Sequence, residues 1–171
     1  MASVLVVRAD SPIESLTDVN GRVLALGQPG SATGYYVPLY ELYGTTPSEV
    51  RLGSTPAQIL EWLSRGEADI GAMSQDEFER YRTSVDTPFR VLHTSRRIPS
   101  GSVLISPKVD RNQQELLQTV MGEALPAIAE EANSIPNAPP PNYDTLIEFI
   151  EKVKPIETNI NQTPAPLYVE D

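Results

Sequence analysis

The stretch Val23-Leu24-Ala25-Leu26-Gly27-Gln28-Pro29-Gly30-Ser31-Ala32-Thr33-Gly34-Tyr35 decides the fold. Val23 to Leu26 is a short, continuous apolar run, the pattern of a strand buried on both faces. A loop of small residues follows it, Gly27 to Gly34. From Tyr35 an aromatic-rich segment runs to about Tyr43 with helical composition, and Pro38 falls in its first turn, where a missing N–H costs little. The order is strand, small-residue loop, helix. That order aims backbone N–H groups and the positive end of a helix at one point. Gly30 and Gly34 allow close approach of a ligand to the backbone, and the hydroxyls of Ser31 and Thr33 add donors. A tetrahedral oxyanion needs such donors, and neutral ones suffice. A plain capped turn, with Thr33 or Ser31 as the helix cap, accounts for the same residues. No lysine follows at the P-loop position, and the G-x-G-x-x-G spacing of a dinucleotide site is absent.

Outward from this stretch the chain keeps alternating. Val4 to Val7 reads as a buried strand, and Ser15 as the cap of a short helix, Leu16 to Val19. Arg51 to Ser54 is a short strand. Thr55-Pro56 is a cap with proline at the first helical position, ahead of an apolar stripe of Ile59, Leu60, Trp62 and Leu63. Asp69 to Met73 is a strand, and Ser74 caps a polar helix, Asp76 to Arg82. Phe89 to Thr94 and Ser102 to Ile105 are two further strands. Gln113 to Leu125 is an amphipathic helix that Pro126 breaks or kinks, and Ala127 to Ala132 resumes it. Asn137 to Asn142 is a proline-rich linker. Tyr143 to Val153 is a helix expected to turn Leu146, Ile147 and Ile150 inward. Strands alternating with helices predict an α/β fold, a three-layer, mostly parallel sheet with helices on both faces. The expected organisation is one α/β lobe over residues 1–154 and an extended or disordered tail over 155–171, with a short edge strand at Leu167 to Val169. There is no internal repeat.

Composition narrows the function. The chain has 171 residues, enough for one core, and 40% of them are hydrophobic. Its 13 basic and 23 acidic residues leave a net charge of −10, a field that repels nucleic acid and anionic membranes. A small anion site stays compatible with that charge, because exposed charges are screened beyond roughly 10 Å. Without cysteine there are no disulfides and no thiolate chemistry, and one histidine, His93, excludes a histidine-rich zinc site. No metal or cofactor is expected. No apolar stretch approaches the roughly 20 residues of a membrane span, and Met1 to Arg8 is not a signal peptide. His93 reads as a packed or surface histidine. Arg96 and Arg97 read as a solvated turn, and Asp76, Glu77 and Glu79 as a solvated helix face. Tyr35, Tyr36, Tyr40 and Tyr43 read mainly as core, with Tyr35 the one placed to meet a ligand.

Several segments, in order, resemble one family. Val6 to Gly21, with Ser11, Ile13, Ser15, Leu16, Asp18 and Gly21, resembles a strand followed by S-x-I-x-S-L-x-D-L-x-G. Gly30-Ser31-Ala32-Thr33-Gly34-Tyr35-Tyr36-Val37-Pro38 resembles the anion loop S-S-T-S-G-Y-x-x-P. Gly53-Ser54-Thr55 resembles G-S-H, Arg65 to Ala72 resembles N-G-E-A-D-A-G-A, and Ser95 to Pro99 resembles S-P-x-I-P. The family is the phosphate, phosphite and phosphonate-binding proteins of ABC transporters, and the matching part is the second of two lobes. The resemblance implies one lobe of a type II periplasmic-binding fold and non-catalytic capture of a small oxyanion for transport or sensing. The implied ligand-binding residues are Gly30, Ser31, Ala32, Thr33, Gly34 and Tyr35, with Ser54 and Thr55 on the opposite wall. It further implies a periplasmic or extracytoplasmic location, and as partners a first lobe, a transporter membrane subunit or another protein chain. Ala32 stands where the family has a hydroxyl, and Thr55 where many members have histidine. Gly101 replaces an acid of aminophosphonate binders, which argues against an amine-bearing ligand. A fragment of a longer transport or sensor protein and a natural single-lobe protein both fit. The alternative function is a regulatory or protein-interaction module that keeps the fold without the ligand. An enzyme using the Ser31/Thr33 loop would lack an evident base.

Overall fold

The computed structural model describes residues 1–99, 101, 104–131, 139 and 141–169, with the backbone alone at Glu130 and Glu131. These residues divide into two compact units. One comprises residues 1–98 and 143–171, the other residues 99–142.

The larger unit is built on a five-stranded sheet. Its strands are β1 (Ser3–Arg8), β2 (Val23–Leu26), β3 (Glu49–Leu52), β4 (Ile70–Ser74) and β5 (Phe89–Thr94), in the spatial order β3-β2-β4-β1-β5. β2 pairs in parallel with β3 and with β4. β1 is antiparallel to both its neighbours, β4 and β5. Four strands therefore share one direction and β1 alone opposes them, so the sheet is mixed within its mostly parallel plan. The sequence reads β1 as apolar on both sides, which says that it is central but not which way it runs.

Helices cover both faces, as expected. Alternate strand residues separate cleanly. Leu5, Val7, Leu24, Leu26, Ile70 and Ala72 enter one core, with Leu39 and Leu42 at the helical segment after β2. Val4, Val6, Ala25 and Met73 enter the other, with Ile59, Leu60 and Leu63 of α2 (Pro56–Ser64) and Phe78 of α3 (Gln75–Tyr81). This is the two-residue period of a strand buried on both faces. The segment after β2 opens with a π-helical turn, Ala32–Tyr36, and continues as α1 (Val37–Glu41). α6 (Asp144–Val153) returns to the first core.

Three expectations are corrected. In α6 Leu146 packs inward and Ile150 is partly buried as expected, but Ile147 is 49% exposed, and the fully buried residues are Phe149 and Val153. Of the expected tail at 155–171, the described residues, up to 169, are not loose. Short 3-10 turns at Lys154–Ile156 and Asn159–Asn161 carry Ile156 and Ile160 into the first core, with Leu167 beyond them. Leu167 forms no strand. Its N–H donates to the Thr45 carbonyl and its own carbonyl accepts from Gly44 N–H, both at 2.9 Å. Each fully buried Leu or Ile contributes about 1.5–3 kcal/mol, enough to hold a segment that has no regular period. Asn159 fastens the bend by donating from Nδ2 to the carbonyls of Pro166 and Tyr168 at 3.0 Å. Of the expected strand at 102–105, Ser102 and Val103 lie outside the described residues, and Leu104 and Ile105 carry no strand.

In the smaller unit, α4 (Arg111–Gly122) starts at the cap Asp110, whose carboxylate accepts from Asn112 N–H at 2.9 Å. Pro126 does break the helix, and α5 (Pro126–Glu131) begins on it. Ala132, and Asn137, Ala138 and Pro140 of the proline-rich linker, lie outside the described residues.

Candidate anion site at the carboxyl edge of the sheet

Because β2, β3 and β4 run together, their carboxyl ends share one edge, the place where open α/β sheets bind ligands. Three strand-to-helix junctions start from it: Gly27–Gly34 after β2, Gly53–Thr55 after β3, and Ser74 after β4. The reversed β1 brings its first residue to the same edge, where Ser3 lies opposite Ser74.

The loop after β2 is held from several sides. Gly27 N–H donates to the Gly34 carbonyl at 2.8 Å and closes the loop on itself. A Cβ built on Gly34 would stand 3.0 Å from Ser31 Oγ and 3.3 Å from Gly27 Cα. Gly34 thus serves packing within the loop. Gly30 has φ +97° and open space around it, so glycine is needed there for the turn. Ser3 Oγ donates to the Thr33 carbonyl at 2.6 Å. Ser3 N–H in turn donates to Ser95 Oγ at 2.9 Å, which ties β1, the end of β5 and the loop together. Gln28 Nε2 donates to the Gly53 carbonyl at 3.2 Å and couples this loop to the next. Ser3, Gln28 and Ser95 were not singled out by sequence, since nothing in their neighbourhoods marks a contact across the sheet.

Ser31 is the helix cap. Its Oγ accepts from Gly34 N–H at 3.0 Å, while its carbonyl accepts from both Tyr35 and Tyr36 N–H at 3.1 Å. The second of these is the wider π-type bond, a widening often found at functional sites. Val37 N–H reaches back to Ala32 in the same way. The amides of Ala32 and Thr33 have no acceptor among the described residues. The loop therefore offers two orphan N–H groups and the Ser31 hydroxyl proton at the start of ten continuous helical residues, 32–41.

The other expected residues divide. Ala32 is partly buried and packs against the cluster of Val37, Ile98 and Phe149. Thr33 is buried. Tyr35 is 1% exposed, with its ring in the first core. Burial, reinforced by the negative charge of Glu157, holds its phenol above the ordinary tyrosine range, so it stays neutral. That role is internal and ties the carboxyl-terminal segment to the loop's helix. Ser54 and Thr55 are exposed but already engaged. Ser54 N–H donates to Gln58 Oε1 at 2.8 Å, and Thr55 Oγ1 accepts from Gln58 N–H at 3.2 Å. Both line an open hollow of about 540 Å³ with Ala57, Gln58, Glu61, Ser84 and Val85.

Residues weighed as chemistry have structural partners. His93 Nε2 lies 3.2 Å from Glu41 Oε2. The Arg96 guanidinium sits 5.4 Å from the centre of the Phe149 ring, which stacks on Tyr40 at 3.9 Å. Lys152 closes the array 4.5 Å from the Tyr43 ring centre. Arg96 is thus held by a cation–π contact, beyond the solvated turn expected for it. Among the described residues no cluster of three or more His, Asp or Glu could hold a metal, and no helix is long and apolar enough to cross a membrane.

Comparison with known proteins agrees with this architecture. A solved protein of Xanthomonas citri bound to ATP matches with TM-score 0.67 at 20% identity, over 86% of this chain and 64% of its own. PhnD1 of Prochlorococcus marinus in complex with methylphosphonate matches with TM-score 0.64 at 15% identity, over 90% of this chain and 66% of its own. A binding protein component of an ABC phosphonate transporter from Pseudomonas aeruginosa matches with TM-score 0.61 at 20% identity, over 75% of this chain and 48% of its own. The chain thus spans less than two thirds of the length of these structures. No curated protein sequence matches it. The family model for the periplasmic substrate-binding protein of phosphonate ABC transporters matches residues 1–131. With that match over most of its length, and with the fold of one lobe of a periplasmic-binding protein, the chain belongs to the family of phosphonate ABC-transporter substrate-binding proteins.

Proposed function

We propose that this chain forms one wall of an oxyanion site and captures a phosphonate, phosphite or phosphate group without chemistry, as a solute-binding part of a transport or sensing system. The observation that carries the reading is the pair of orphan amides at Ala32 and Thr33 beside the Ser31 hydroxyl. They sit at the positive end of a helix and at the edge where parallel strands place ligands. Ser31 keeps its proton for a ligand because its oxygen already accepts from Gly34. The ligand set is narrower than the one the sequence suggests. Gly30 shapes the turn, Gly34 packs the loop, and Tyr35 anchors the core. Ser54 and Thr55 contribute from the neighbouring loop through their hydroxyl protons, because the Ser54 amide and the Thr55 oxygen are already engaged by Gln58. A site open on one side desolvates its ligand poorly, so affinity for this chain alone is expected in the millimolar range.

The test is an amide-resolved NMR titration with phosphate, phosphite and methylphosphonate, with sulfate and chloride as controls. Saturable shifts at Ser31, Ala32 and Thr33 that favour a phosphorus oxyanion are the expected result. Flat titrations at millimolar anion would overturn it and favour a module that keeps the fold without the ligand.

A further inference from the structure

The π-type turn after β2 depends on a bond that its own helix cannot make. Each donor in the turn reaches back by the wider step, Tyr36 N–H to the Ser31 carbonyl and Val37 N–H to the Ala32 carbonyl. The next acceptor in that series is the Thr33 carbonyl, and the next donor would be residue 38. Residue 38 is proline and has no N–H. Pro38 also withholds the ordinary helical donor from the Gly34 carbonyl. A buried carbonyl without a donor is costly, so both need a partner from outside the helix. Both are supplied from the sheet. Gly27 N–H, just past β2, donates to the Gly34 carbonyl at 2.8 Å, and Ser3 Oγ, at the start of β1, donates to the Thr33 carbonyl at 2.6 Å. The first of these is a main-chain bond, whereas the second hangs on one hydroxyl. Ser3 is 3% exposed and Thr33 7%, so solvent is badly placed to replace it. Ser3 is itself fixed, its N–H donating to Ser95 Oγ and its carbonyl accepting from Ser95 N–H, both at 2.9 Å.

We propose that Ser3 is a positioning residue for the oxyanion site, its hydroxyl standing in for the N–H that Pro38 lacks. The proposal rests on the oxyanion reading of this loop. Without the hydroxyl, the turn gains by rewinding to the α pattern, in which Val37 N–H would serve Thr33 and Tyr36 N–H would serve Ala32. Rewinding re-aims the amides of Ala32 and Thr33. Ser3 thus acts through Thr33, by keeping the wide turn in which those amides are free for an anion.

Ser3→Ala tests this in the amide-resolved titration with phosphate and methylphosphonate. The expected variant is folded by circular dichroism, shows a displaced Thr33 carbonyl carbon resonance, and binds either anion several-fold more weakly at residues 31–33. Ser3→Ala/Pro38→Ala offers a new N–H to the Thr33 carbonyl, since Gly27 already occupies Gly34, and should recover most of the lost affinity. Ser95→Ala removes the other bond of Ser3 and should lower Tm while sparing the affinity. If Ser3→Ala fails to fold, Ser3→Cys, a weaker donor of similar shape, should lose part of the affinity. A parent that binds and a Ser3→Ala variant that binds equally well overturn the proposal and leave the oxyanion reading standing. A loss that Pro38→Ala does not relieve makes Ser3 a packing residue and overturns the proposal as well. A parent indifferent to both anions overturns the oxyanion reading and the proposal with it.

Discussion

Two junctions on the same sheet edge solve the same problem differently. After β2, Ser31 caps the helix, and the amides of Ala32 and Thr33 have no acceptor among the described residues. After β4, Ser74 caps α3, but Glu77 reaches back and its Oε2 accepts from both Ser74 N–H and Ser74 Oγ at 2.9 Å. Both turns are strand, serine cap, helix. One carries its own carboxylate at the positive helix end, and the other carries none, the feature on which the proposed anion site rests. An N-terminus that already holds a carboxylate is satisfied in charge as well as in hydrogen bonds, so it has little left to attract a second anion. What separates a structural turn from a candidate site is the residue three positions past the cap: Glu77 in one, Gly34 in the other.

The contrast can be broken most severely at Gly34. Gly34→Val puts a branched side chain where a Cβ already meets Ser31 Oγ and the Gly27 backbone. Overpacking of this kind costs about 1–3 kcal/mol or more. Urea denaturation should show that loss, and any oxyanion response should vanish with it. Ser31→Ala is expected to cost about 1 kcal/mol in stability through loss of the cap. It should also weaken anion binding by about tenfold or more, since a hydrogen bond to a charged group is worth about 1.5–3 kcal/mol. Ser74→Ala should show a similar stability loss with no change in binding, and equal binding losses in the two variants would remove the distinction between the junctions. The smallest effect belongs to Glu77→Gln, which keeps an acceptor but removes the charge. Its expected cost is about 0.3–1 kcal/mol, fading as salt is raised, with the anion titration at residues 31–33 unchanged.

Much of this was legible because it is local. The caps Ser15, Thr55 and Ser74 stand where the sequence places them, with Pro56 one residue inside α2. The alternation of β2, β3 and β4 with helices implies their parallel pairing, since short crossovers leave few other options. The misreadings share a cause. Tyr35 borders a polar loop in sequence but turns its ring into the core, because the π-type turn rotates the following residues inward. Ile156, Ile160 and Leu167 follow neither a strand nor a helix period, because 3-10 turns and a bend carry them to the core. A reading based on period has no means of finding such burial.

By itself, the sequence determined the caps, the five strands of the sheet and the small-residue loop, properties of residues within a turn or two of one another, and the family through several such segments in order. Only the tertiary structure decided that β1 runs against its neighbours and that Ser3 and Ser95 brace the loop after β2. It likewise decided that Gly34 packs against Gly27, and that Ile156, Ile160 and Leu167 seal the first core. These depend on which segments meet across the sheet, and such meetings are set by packing and by backbone donors finding acceptors far along the chain, which no local pattern encodes.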